Sequence, residues 1–183
     1  MKKILMAMVM LLPLASFAQE DVKKQMTKFE EFTSKTGSIV KFVDIHMPKL
    51  SVAYGASLQT GIRTIKSGNN IYFYRLEKSE TSSSTAKIAM IEYSDLVEIN
   101  KALAKLASEV DADIASNSDY LENKFRSVDG FEVGYYVSKG DAHWYLKLER
   151  YSSSTVFIKD QASIIEAFKQ AQTKIEELKA SGK

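Results

Sequence analysis

The sequence predicts an α+β fold in which amphipathic helices pack on antiparallel sheet, arranged as two pseudo-repeated strand-rich units that each end in a helix. Three observations carry this prediction. Two long segments place apolar residues at spacings of three and four, so each forms a helix with one apolar stripe that must be laid on another layer. Shorter segments of alternating pattern are joined by Gly68-Asn69-Asn70, Asp129-Gly130 and Gly140-Asp141, and such turn sequences make neighbouring strands antiparallel. The two strand-rich stretches, finally, align with one another.

The elements follow in chain order. Residues 21–35 place Val22, Met26, Phe29 and Phe32 at helical spacing among lysines and glutamates, with Gly37 as a stop, which predicts a short amphipathic helix. From Ser38 the period changes to two around Ile39, Phe42 and Val43, and further strand-like pieces lie near 50–56, 60–66, 70–78 and 85–93. Ser94 is expected to cap a helix over about 95–113, with Leu96, Ile99, Leu103, Leu106 and Val110 as its stripe and Asp95 favourable in its first turn. Strand-like pieces return near 120–128, 131–138, 142–150 and 154–158. Asp160 opens the last helix, near 161–179, with Ile164, Phe168, Ala171, Ile175 and Leu178 on one face.

The internal alignment is residue by residue. Tyr72-Phe73-Tyr74-Arg75-Leu76-Glu77-Lys78 matches Trp144-Tyr145-Leu146-Lys147-Leu148-Glu149-Arg150, and each is followed by a Ser-Ser-Ser-Thr run, a strand and a helix. The offset drifts only from 72 to 68 between Tyr72 and the helices, where Leu96-Val97-Glu98 meets Ile164-Ile165-Glu166. Pseudo-repeats are therefore expected at about 38–113 and 119–180, within one domain of residues 19–183. Periodicity leaves open whether the units share one sheet or form two.

The chain begins with Lys2-Lys3, an apolar run from Ile4 to Leu14, and small residues at Ser16 and Ala18. That order predicts a secretory signal over residues 1–18, cut before Gln19. The run is too short for a permanent span, so no transmembrane segment is expected after cleavage. Loss of Lys2 and Lys3 leaves 25 less 2 basic residues against 23 acidic ones, a formal charge of zero that argues against nucleic acid as partner. With no cysteine, neither a disulfide framework nor a thiol nucleophile is available.

Motifs for chemistry are sparse. His46 and His143 lie far apart, which gives no metal-ligand spacing. Glu109, Asp111 and Asp113 imitate the start of a calcium loop, but Ala115 and Ser116 stand where a ligand and the obligatory glycine belong. Ser82-Ser83-Ser84 and Ser152-Ser153-Ser154 read as loops, and no glycine-rich phosphate loop occurs. No catalytic residue, metal or cofactor is assigned.

Aromatic residues are the unusual feature. Alternation places Phe131, Val133, Tyr135 and Val137 on one face, with Trp144, Leu146 and Leu148 and, by the repeat, Tyr72, Tyr74 and Leu76; these form the expected core. The opposite face carries Phe73, Arg75, Tyr136, His143, Tyr145 and Lys147, rings beside cations that suit a planar, anionic or sugar ligand if they are exposed. Burial beneath the first helix would make them ordinary packing.

Tyr93-Ser94-Asp95-Leu96-Val97-Glu98, Asp119-Tyr120-Leu121-Glu122-Asn123-Lys124-Phe125 and the segment from Gly130 to Val137 resemble small uncharacterised exported proteins of Bacteroidota. The resemblance implies a Gram-negative envelope or secreted location and carries no catalytic implication. The expected function is that of an exported, non-enzymatic binding or interaction domain, in the periplasm or outside the cell, for an envelope protein or small ligand. The alternative is a small hydrolase of glycan or peptidoglycan fragments using paired carboxylates.

Overall fold

The computed structural model describes residues 26–55, 57–66, 68–78, 86–150 and 155–182. The expected signal, Val22 of the first helix and both serine triplets lie outside the described residues. In order, the elements are α1 (Lys28–Thr33), β1 (Lys41–Ser51), a 3₁₀ turn (Ala53–Gly55), β2 (Ser57–Lys66), β3 (Ile71–Lys78), β4 (Lys87–Glu92), α2 (Tyr93–Ala115), β5 (Leu121–Arg126), β6 (Glu132–Ser138), β7 (Asp141–Lys147), β8 (Val156–Phe157) and α3 (Gln161–Ala180). The strands form two antiparallel four-stranded meanders, β1-β2-β3-β4 and β5-β6-β7-β8. Each is followed by one of the long helices, the arrangement expected from the repeat.

The sheets meet where Val52, just past β1, forms an antiparallel bridge with Ile158, just past β8. The helices tie them more firmly. α2 touches β3 and β4 as well as β5, β6 and β7, while α3, which belongs to the second unit, lies along β1, β2 and β3 of the first. Between the helices the Asn100 amide donates to the Phe168 carbonyl at 3.2 Å and to Gln172 at 2.8 Å. Both predicted stripes are buried in full, from Leu96 to Val110 and from Ile164 to Leu178, together with the expected core positions of the strands. A continuous apolar cluster includes residues of both sheets and both long helices. Phe168 shows why: its ring meets Tyr74 of the first unit at 5.2 Å and Phe131 of the second at 5.9 Å.

Three local expectations are corrected. The piece near 38–43 opens β1, which runs on to Ser51 with a register shift between Met47 and Leu50, and the piece near 50–56 is a strand only over Leu50 and Ser51, passing through a bridge at Val52 into the 3₁₀ turn Ala53–Gly55. Pro48 lies in that irregularity, where its missing N–H costs no ladder bond, and its carbonyl accepts from the Thr60 hydroxyl at 2.8 Å. The cap of α2 is Glu92, whose carboxylate accepts from the backbone N–H of Ser94 at 2.8 Å; Ser94 is already helical. The β6–β7 turn centres on Lys139-Gly140, at φ 55° and 84°, rather than on Gly140-Asp141. Positive φ at both central residues is what a type I′ hairpin demands. Asp160 caps α3 as expected, accepting from the Ser163 N–H at 2.8 Å.

Candidate functional site

The six residues expected on one ligand face are divided between the two sheets, on the faces turned away from α2 and α3. Phe73 and Arg75 belong to β3. α1 lies across that part of the first sheet, with Phe29 edge-on to Phe73 at 5.3 Å and Phe32 at 6.3 Å. Phe73 is 0% exposed. Arg75 pairs with Glu77 beside it. α1 is held down by Lys28, whose ammonium bonds Asp95 at 2.7 Å and Ser94 at 3.0 Å, and whose backbone N–H donates to Asp129 at 3.0 Å.

Tyr136, His143, Tyr145 and Lys147 lie on the second sheet, where no described helix crosses the outer face. Tyr145 is nevertheless only 2% exposed, because long neighbours cover it. Its hydroxyl donates to Glu122, and this bond holds the Glu122 carboxyl below its ordinary range. The Lys147 ammonium lies 5.9 Å over the ring. Lys147 also approaches Glu132 at 3.4 Å, a buried carboxylate that Arg126 reaches at 2.9 Å and Lys124 at 3.6 Å. Phe73 and Tyr145 thus do not meet the condition of exposure, and they pack in different ways, one under a helix and the other under a charge network.

Tyr136 and His143 differ. Their rings stack at 4.9 Å, Tyr120 stacks on the other side of Tyr136 at 6.5 Å, and Phe157 stands edge-on to it at 6.3 Å. Tyr120 is 66% exposed, His143 is exposed and Tyr136 is half-buried. Beside this ladder opens a cleft of about 740 Å³ lined by Tyr54, Tyr136, His143, Trp144, Phe157 and the start of α3. Tyr54 presents its ring 95% exposed from a left-handed backbone, φ 63° and ψ 27°. A tyrosine held there carries strain of about 1–2 kcal/mol, and such strain is often stored at binding sites. Flat rings around an open cleft suit stacking on a planar group or the apolar face of a sugar.

Tyr54, Tyr120 and Phe157 were not legible as site residues. Alternation assigned Tyr54 to a strand that in fact ends at Ser51, and Tyr120 and Phe157 belong to short edges whose neighbours only the fold determines.

The acidic run ending α2 has a structural use: Glu109 and Asp113 accept from the Asn123 amide at 2.9 and 3.3 Å, and Asp113 accepts from the Tyr135 hydroxyl at 2.6 Å. Burial and this carboxylate push the Tyr135 hydroxyl up to about 12. Among the described residues no group of three or more histidine or carboxylate side chains is disposed to hold a metal ion, and no helix is long and apolar enough to cross a membrane. A second groove, of about 520 Å³, runs between β4 and the segments around Asp129 and Leu148. Its carboxylates Asp95 and Asp129 are engaged in anchoring α1 through Lys28. No family model, curated protein or solved structure matches the chain.

Proposed function

We propose that the chain is an exported, non-enzymatic binding domain of the cell envelope, which holds a planar or glycan ligand at the cleft beside Tyr136. The observation that carries this reading is the stacked ladder Tyr120–Tyr136–His143 beside an open cleft. Soluble domains usually bury such rings; a run of them left at the surface beside a concavity is the signature of ligand stacking. The N-terminal pattern of Lys2-Lys3, apolar run and Ser16-x-Ala18 supports export. The likeness to small exported proteins of Bacteroidota supports the envelope as location. The hydrolase reading would need two carboxylates free to face a scissile bond. Asp95 and Asp129 in the second groove are instead committed to Lys28.

Trp144 is the single tryptophan of the chain and lines the cleft, so its fluorescence reports occupancy. Titration with soluble peptidoglycan fragments and with chito-oligosaccharides is expected to shift that emission saturably, and Tyr136→Ala is expected to weaken binding by about 1 kcal/mol. Unchanged emission with both probes at millimolar concentration overturns the ligand class. Recovery of an uncut Met1 from the membrane fraction overturns export.

A further inference from the structure

The rings of the cleft beside Tyr136 share its walls with four titratable side chains, Asp111 of α2, His143 of β7, and Lys159 and Asp160 at the approach to α3. Two of the four are already engaged by the fold. Asp160 accepts from the Ser163 N–H at 2.8 Å as the cap of α3, where its charge opposes the positive end of that helix. His143 stacks on Tyr136. Asp111 and Lys159 are exposed, and neither has a hydrogen bond or an ion pair with the other or with any other described residue.

Asp111 is unfavourably placed for the helix that carries it. It lies near the carboxyl end of α2, whose last turn has no basic residue, and a negative charge near the negative end of a helix costs stability. For the neighbouring acids that cost is offset. Glu109 meets Lys105 at 2.7 Å and the Asn123 amide at 2.9 Å, and Asp113 accepts from the Tyr135 hydroxyl at 2.6 Å. Asp111 has no such partner and faces the cleft instead. With Asp160 set against Lys159, and His143 neutral, the lining keeps one acid in excess.

The rings carry the same preference. The face of an aromatic ring is negative and attracts a cation held within about 6 Å, and Tyr54, Tyr136, Trp144 and Phe157 all line the cleft. A metal ion would need several oxygen or nitrogen ligands, and no group of three such side chains is gathered among the described residues. An organic ammonium needs only ring faces and one counter-charge.

We propose that the ligand of this cleft is an amino sugar whose amine is free and charged, with the apolar face of the sugar on the rings and the ammonium beside Asp111. The proposal rests on the reading of the cleft as a glycan site and adds the group that selects among glycans. An N-acetylated sugar offers the same apolar face without the charge, so the two differ only in the group that Asp111 would meet.

The test follows Trp144 emission during titration with two oligosaccharides of equal length, the glucosamine tetramer and the N-acetylglucosamine tetramer, in mildly acidic buffer where free amines are charged. The glucosamine tetramer is expected to bind about two- to fivefold more tightly. Asp111→Asn is expected to bring the two affinities together, and Lys159→Ala, which removes the opposing charge, to move them further apart. Tetramethylammonium chloride, whose charge is independent of pH, is expected to displace the glucosamine tetramer more effectively than sodium chloride of the same ionic strength. Equal binding of the two tetramers, tighter binding of the acetylated one, or a preference that survives Asp111→Asn overturns the ammonium and leaves the cleft as a glycan site. Binding of neither tetramer removes the glycan reading and this proposal with it.

Discussion

The outer faces of the two sheets contrast more than their scaffolds do. On the first, α1 covers Phe73 with Phe29 and Phe32. On the second, Tyr145 is shielded by side chains of its own sheet, and the rings of Tyr120, Tyr136 and His143 remain at the surface. The repeat supplies two similar platforms and, among the described residues, α1 lies on the first alone, so that platform is a packing layer while the other keeps an accessible aromatic face. The inner faces show the opposite behaviour, since both contribute to one apolar cluster.

The largest expected effect is a break in that shared interior. Phe168→Ala removes a ring wedged between Tyr74 and Phe131, and a fully buried phenylalanine costs about 3–5 kcal/mol when truncated. Because the ring touches both units, denaturant unfolding followed by far-ultraviolet circular dichroism and by Trp144 emission should shift together, in one transition. Two separated transitions would show that the units are energetically independent.

A smaller effect sharpens the contrast between outer faces. Phe29→Ala strips the cover from Phe73 and is expected to cost about 2 kcal/mol while leaving glycan binding intact. Tyr136→Ala is expected to cost under about 1 kcal/mol of stability and to weaken binding. Chemical denaturation and the fluorescence titration, run on both variants, should show opposite rankings.

Much of this organisation was legible in the sequence, and what was not has physical causes. Helix stripes such as Ile164-Phe168-Ala171-Ile175-Leu178 are local statements about one face, and burial follows from them wherever the partner lies. Strand alternation likewise sorted Tyr135 inward and Tyr136 outward. Alternation says only that a side chain leaves the inner face, not what covers the outer one. Phe73 and Tyr145 were therefore placed on the right side but not at the right exposure. Cover depends on α1, which is distant in sequence from β3, and on Glu122 and Lys147 meeting across strands. The sharing of α2 and α3 between sheets is equally non-local.

Acid distinguishes two carboxylates on opposite sides of the contrast. Glu122, on the uncovered face, is held below its ordinary value by the Tyr145 hydroxyl. Its stabilising contribution is complete above the unfolded value of about 4.3 and is lost as pH falls through the lower folded value. Asp129, beneath α1, is raised by burial, so its contribution has the other sign. It is present below the unfolded value of about 3.9 and is lost as pH rises through the folded value. Tyr145→Phe should bring Glu122 back up and flatten the acid limb of the stability curve, whereas Asp129→Asn should remove the loss on the alkaline side. Carboxyl-carbon titration by NMR reads both directly; a Glu122 midpoint unmoved by Tyr145→Phe would assign its depression to Lys124 and Lys147 instead.

The smallest expected effect concerns Tyr54, which tests whether the uncovered side of the molecule keeps strain for the sake of its cleft. The residue adopts a left-handed backbone with its ring 95% exposed, so the ring makes little packing that could repay the strain. Tyr54→Gly removes a conformational penalty of about 1–2 kcal/mol and adds back about 0.4–1 kcal/mol through the greater freedom of glycine in the unfolded chain. The net expectation is a gain of about 0.5 kcal/mol in stability. Because the same change deletes a ring from the cleft wall, glycan affinity should fall as stability rises. Tyr54→Phe, which keeps both ring and backbone, should change neither by a measurable amount. A loss of stability in the glycine variant would mean that the ring packs in solution, and Tyr54 would then belong with Phe73 among the covered residues.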